Sequence, residues 1–323
     1  MKVKKIMLIT IWALLFIVSG CSNDQPIIPE NKSLAITVNI KDMSLSFVDL
    51  EEAKVIETWT MDKPYTGGVL LPDNDSLLLY GKQVETVDIY SLRTGKRINS
   101  WETGRGIVEG VLLSNSEEIA FSDQEKQSVR FFRFDGKEIK EVVKTGNPLA
   151  LIPTNSQLFV VSYNSKKLTI VDLQSKEISK QFSIHSAATG AIIQEDKNEI
   201  WIGGHGLGSE LESYIHVYDS KTGELKRKIS APIMPINLLQ NNDGTFALSH
   251  GSNSLYKISN EGVIQAKITV GANPFEMTEY KDQLIVAGYD SNDIHFITEK
   301  DLSKGKSVKV GKGPFKLIIR EID

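Results

Sequence analysis

The sequence predicts an all-β fold, a seven-bladed β-propeller of four-stranded blades closed by the C-terminal strand pairing into the N-terminal blade. Three observations carry this: one strand pattern returns seven times, the returns are spaced as blades are, and the two ends hold complementary pieces of a single repeat. The clearest register is a short apolar strand after a turn, at residues 34–40, 77–80, 119–122, 158–162, 200–203, 245–249 and 284–288. Successive starts lie roughly 38 to 46 residues apart, which suits four-stranded blades better than helical solenoids.

Each of these strands is followed by a polar turn and a further strand, as at residues 45–50, 168–173 and 215–219. A third, more polar strand comes next. A turn rich in Gly and Pro then opens the next unit, as at 146–148, 271–274 and 311–314. Within 168–173, Leu168, Ile170 and Asp172 fall on one side of the pleat, with Thr169, Val171 and Leu173 on the other. Strands sandwiched between neighbouring sheets carry apolar bulk on both faces in this way. No stretch beyond the N-terminal segment sustains a 3.6-residue apolar stripe, so almost no helix is expected.

The ends predict how the ring closes. The repeat begins at Leu34 on the second strand of a unit and finishes at 315–322 on a first strand with no unit after it. First strands fall near Val69, Val111, Leu149, Ala191, Ile236, Phe275 and Phe315, one for each of the seven second strands. Pairing the last strand into the first blade hides two sheet edges.

Residues 1–20 read as a secretory signal: lysines at positions 2, 4 and 5, an apolar run of about 13 residues too short for a span of roughly 20, then small residues. Cys21 is the only cysteine, so the exported body, residues 34–323, is held by apolar burial without a disulfide. Residues 22–33, with Pro26 and Pro29 among polar neighbours, read as an extended tether reaching about 40 Å. Losing three lysines takes the net charge from −4 to −7. That balance and the absence of a basic stripe argue against a nucleic-acid partner.

Two resemblances follow from these residues. Val18-Ser19-Gly20-Cys21 resembles the lipobox of bacterial lipoproteins, which implies a lipid on Cys21, the cell membrane as partner and an extracytoplasmic body. Residues 159–164 with 168–173, together with the Gly-x-x-Pro turns at 271–274 and 311–314, resemble the propellers named for a Tyr-Val-Thr-Asn repeat. That likeness spans residues 34–322. It implies the fold and leaves activity open, because propellers host scaffolds and enzymes alike.

In a propeller, the loops before the first strand and those between the second and third open on one face around the central channel. The second set carries Asn39, Asp123, Tyr163, His205, His250, Tyr289 and Asp290; the first carries Arg105, Asn147, Asn273 and Lys312. Asp123, Tyr163, His205, His250, Tyr289, Asp290 and Arg105 are therefore the candidate ligand-binding residues, at the mouth of the channel. The fifth blade's loop, 203–213, is longer than its counterparts and glycine-rich, but has neither a Walker lysine nor a following helix.

His205 and His250 stand at equivalent positions, and a carboxylate such as Asp290 or Asp123 could orient them. Solvent-exposed loop histidines are the plainer interpretation, and no metal or cofactor is expected. His185, His216 and His295 have no partner visible in the sequence. The Thr-Gly turns at 94–95 and 222–223 are similar to those of quinone-dependent dehydrogenase propellers, yet Thr-Gly is an ordinary strand connector and Trp59, Trp101 and Trp201 keep no fixed spacing from it. No nucleophile elbow appears. The expected function is a monomeric, membrane-anchored binding scaffold for an envelope protein, a cell-wall polymer or a small ligand. The alternative is a lactonase-like or streptogramin-lyase-like enzyme at the same mouth. Clustered, mutually hydrogen-bonded His and carboxylate groups there would mark the enzyme.

Overall fold

The computed structural model describes residues 24–114 and 117–322. They form seven four-stranded antiparallel sheets around a central channel, and the closing sheet runs Lys54–Thr60, Ser44–Asp49, Leu34–Asn39, Pro314–Arg320 from rim to channel. The other innermost strands are Gly67–Leu70, Ile107–Leu112, Pro148–Pro153, Ala188–Gln194, Pro235–Asn241 and Pro274–Tyr280, each beside the next around the ring. We number the blades 1 to 7 from the closing sheet. Helix is confined, among the described residues, to two single 3₁₀ turns, Glu195–Lys197 and His250–Ser252.

The sandwich explains the composition of each strand. The second and third strands of blade 1 are buried at every position, because a neighbouring sheet covers each face. Its outermost strand, Lys54–Thr60, fully buries only Trp59. Seven apolar clusters fill the seven gaps between blades, one per gap, so the ring has no open seam. The closing strand contributes Ile318 to the gap with blade 2 and Leu317 to the gap with blade 7.

One polar position recurs inside this apolar frame. The third residue of the third strand is Ser46, Asp88, Arg130, Thr169, His216, Tyr256 or His295. In six blades it is hydrogen-bonded to the loop that enters that blade, directly or through one or two side chains, and in blade 5 His216 instead stacks on His185 of that loop. Ser46 accepts from the Gly311 backbone N–H at 3.0 Å, Asp88 takes Lys63 at 2.6 Å, and Arg130 donates to the Thr103 carbonyl at 2.6 Å. Such buried groups need partners, and the loop backbone supplies them.

The segment expected to be a free tether is bound to the body from Gln25 onward. Gln25 N–H donates to Gly95 O at 2.8 Å, Ile28 N–H to Leu92 O at 2.9 Å, and the Trp59 indole to Pro26 O at 2.9 Å. Ile28 is fully buried between blades 1 and 2. The prolines keep the segment extended, as their composition suggests, while one isoleucine and its backbone donors fix it along the blade rim. Cys21 and the signal segment lie outside the described residues.

Candidate functional site

The channel mouth is built where the Gly-x-x-Pro turns deliver the innermost strands. In blades 7 and 1 the strand pairing skips one residue just after the proline, so Phe275 and Phe315 are bulged out of register. A bulge re-aims a side chain, and here the two rings meet at 4.7 Å. Tyr289 packs against both, at 6.0 Å from Phe275 and 6.4 Å from Phe315. His250 sets its ring edge-to-face against Phe275 at 5.1 Å, and His205 lies 5.8 Å from His250. An unbroken arc of rings thus runs across blades 5, 6, 7 and 1. At its end the Lys41 ammonium sits 4.0 Å over the Tyr289 ring and pairs with Asp290 at 2.7 Å.

Of the residues predicted from sequence, His205, His250, Tyr289 and Asp290 are brought together. Arg105 is exposed in another sector and pairs with Glu85 at 3.2 Å. Tyr163 is half-buried on blade 4, where its backbone N–H reaches Asn147 O at 3.0 Å. Asp123 is a correction: it is fully buried, pairs with Arg130 at 3.1 Å and accepts the Lys126 backbone N–H at 2.8 Å. Its carboxylate is spent inside the blade, because Arg130 on the adjacent strand needs a buried counter-charge. Asn39 is likewise buried, donating to Ser44 and Ser46. Phe275 and Phe315 were missed, although Pro-Phe stands twice in the sequence after the same turn.

Two features give the mouth its chemistry. His250 Nδ1 is buried and has no hydrogen-bond partner, and burial lowers the pKa of its imidazole. A buried, unpaired nitrogen costs on the order of 1 to 3 kcal/mol. Asp290, the expected orienting carboxylate, is held by Lys41, which keeps its carboxyl below the usual range. One step deeper, Lys316 bridges Glu109 at 3.1 Å and Glu276 at 3.0 Å across the channel, and Asn237 donates to Glu276 at 3.1 Å.

The three histidines without visible partners all have them. His295 shares a 3.0 Å hydrogen bond with Asp293. His185 and His216 stack at 3.9 Å with ring planes 21° apart, and His216 Nε2 meets Glu212 Oε2 at 3.2 Å. The mutually bonded His and carboxylate cluster that would mark an enzyme at the mouth is therefore found elsewhere, under the loop entering blade 5. Burial, and then the charge of His216, lowers the His185 pKa to about 4. Glu212 is drawn upward by burial, but His216 and two backbone N–H groups outweigh this and hold it at about 2.

No known family profile and no curated protein matches this chain. Solved structures do. Apo AztD from Citrobacter koseri is 12% identical with a TM-score of 0.60, over 90% of this chain and 98% of that one. A functionally unknown protein from Desulfotomaculum acetoxidans is 10% identical with a TM-score of 0.72, over 90% and 99%. Kuenenia stuttgartiensis hydrazine synthase is 11% identical with a TM-score of 0.71, over 87% and 96%. At such identities, and with such unlike names, the shared property is the fold: a seven-bladed β-propeller.

Proposed function

We propose that this chain is a lipid-anchored, extracytoplasmic binding scaffold whose ligand surface is the arc His205, His250, Phe275, Phe315 and Tyr289 at the channel mouth. The observation that carries the reading is the continuous arc of half-buried rings at one mouth of the channel, from His205 through His250 and Phe275 to Tyr289 and Phe315. Rings with polar ends offer apolar contact and a few fixed hydrogen bonds, which suits a sugar, a peptide or a planar small molecule. Binding is favoured over hydrolysis or elimination at this mouth because Asp290 is engaged by Lys41 rather than by either imidazole. A panel of peptidoglycan fragments, monosaccharides and planar aromatic compounds, screened by thermal shift and then by calorimetry, tests it. For any binder, His250→Ala and Tyr289→Ala are each expected to weaken affinity by about 1 to 2 kcal/mol, roughly 5- to 30-fold, with the fold intact. Turnover that falls by about 10²-fold in His250→Ala with little change in binding would instead establish the enzyme.

Anchoring rests on the lipobox resemblance. The bound course of residues 25–33 sharpens what it implies: from Cys21 to Gln25 the chain can reach only about 14 Å at full extension, so the rim of blades 1 and 2 would ride close to the bilayer. Cys21→Ser is expected to abolish labelling by a palmitate analogue and to release the protein from the membrane fraction. Unaltered acylation and processing would remove this part of the proposal.

A further inference from the structure

We propose that His185, Glu212 and His216 form a binding site for a divalent transition cation of the zinc type, apart from the channel mouth. One nitrogen from each imidazole and one Glu212 oxygen lie within 4.8 Å of one another. Ligands at about 2.0 to 2.2 Å from a tetrahedral ion stand about 3.3 to 3.5 Å apart. The His216–Glu212 edge is already 3.2 Å, so only His185 has to close, by at most about 1.5 Å. Two imidazoles and a carboxylate suit zinc and its neighbours, whereas magnesium and calcium take oxygen ligands.

The three groups are held as ligands need to be. Glu212 Oε1 accepts the backbone N–H groups of Ser213 and Tyr214, both at 3.0 Å, which leaves Oε2 aimed at His216. His185 Nε2 donates to the Gly203 carbonyl at 3.3 Å, which leaves Nδ1, 3.2 Å from the Tyr218 hydroxyl, as the nitrogen with a lone pair to offer once that hydroxyl turns away. Such outer partners orient metal ligands. Stacked rings cannot both point a lone pair at one ion, so one ring has to turn. Gly204 supplies the room, since a Cβ there would stand 2.9 Å from His185 Nε2.

Comparison between blades separates this cluster from the ordinary loop clasp. His216 occupies the recurring polar position, and a clasp needs one residue there and a loop carbonyl or amide. In blade 5 the entering loop brings a second imidazole. The carboxylate comes from residues 205–213, the insertion peculiar to this blade. A cation held by three protein groups keeps a fourth position for water or for an atom of a partner.

Chelator-stripped full-length protein in detergent, titrated with Zn²⁺ by calorimetry and with Co²⁺ by visible spectroscopy, tests the site. One equivalent is expected to bind, with Co²⁺ bands of a four- or five-coordinate nitrogen and oxygen site. Glu212→Gln and His216→Ala are each expected to weaken Zn²⁺ at least about 10- to 100-fold, the cost of losing even an outer partner. His250→Ala should leave it unchanged. Glu212→Gln keeps the shape and the backbone hydrogen bonds, so it reads the ligand role even if His216→Ala folds poorly. No binding tighter than about 100 µM, binding unmoved by Glu212→Gln, or binding lost in His250→Ala would each overturn the proposal.

Discussion

Replacing Lys316 with methionine is expected to cost the protein about 3 kcal/mol, a fall of about 6 °C in melting temperature for a body of this size. Among the described residues, Lys316 is the one cation that both Glu109 and Glu276 contact across the channel. Its removal leaves two carboxylates facing each other with no counter-charge, and breaking a buried pair in this way typically costs 3 to 5 kcal/mol. About a fifth of each side chain still meets the channel (22% for Lys316 and Glu109, 18% for Glu276), so the low end of that range applies. Burial raises the pKa of Glu276, and Glu109 adds to this against the pull of Lys316. A carboxyl raised in the folded state favours folding at low pH, and that benefit is lost as pH rises through its folded value. Without Lys316 the pull is gone, so the deficit of the methionine variant should be largest at pH 7 and shrink towards pH 5. Denaturant melts at both values read it, and Glu109→Gln with Glu276→Gln in the same chain should restore most of the loss. Equal stability of variant and parent at pH 7 would show that the bridge contributes nothing.

The blades were legible because their signals are local. Alternation, Gly and Pro turns and a blade-length spacing placed every first and second strand, and the ring closure followed from the unpaired ends. Half of the mouth was legible for the same reason: His205, His250, Tyr289 and Asp290 sit in loops whose register follows from the strands. What failed was pairing across strands. Asp123 occupies the same kind of loop end, but Arg130 in the adjacent strand claims it, and spacing alone does not show which carboxylate will be claimed. Phe275 and Phe315 reach the mouth through a bulge just after the proline; the repeated Pro-Phe marks the place, but strand alternation alone does not show that the ring is re-aimed there. The tether misled because composition reported its extension and not the one buried isoleucine. The clue to His185 and His216 was present in the sequence: a polar third residue in every third strand, where only blade 5 pairs a histidine with a histidine before it and an insertion beside it.

Deleting the chain from Gly313 onward is expected to abolish the cooperative melt of the native body, and adding the peptide 313–323 in trans should restore it. The missing strand pairs residue for residue with Leu34–Val38, its Ala35↔Ile319 and Thr37↔Leu317 partners flanking Ile36↔Ile318. Its loss removes Leu317 and Ile318, each less than a tenth exposed, and uncovers the apolar surfaces of blades 7 and 2 that they cover. An apolar area of about 300 Å² at 25 cal/mol per Å² is about 8 kcal/mol, comparable with the whole stability of an ordinary domain. The deletion also removes Arg320, which is buried and donates to Lys32 O at 2.9 Å and to Pro29 O, so the bound N-terminal segment loses its inner attachment. Two exposed strand edges would then invite aggregation. The peptide separates pairing from chain connectivity, since a donated strand can fill the same edge by β-augmentation. Recovery of the melt with peptide 313–323, and not with a version carrying Leu317→Asp and Ile318→Asp, is the expected result. A truncated protein that melts as the parent does would mean that the ring is held shut by the six continuous blades alone.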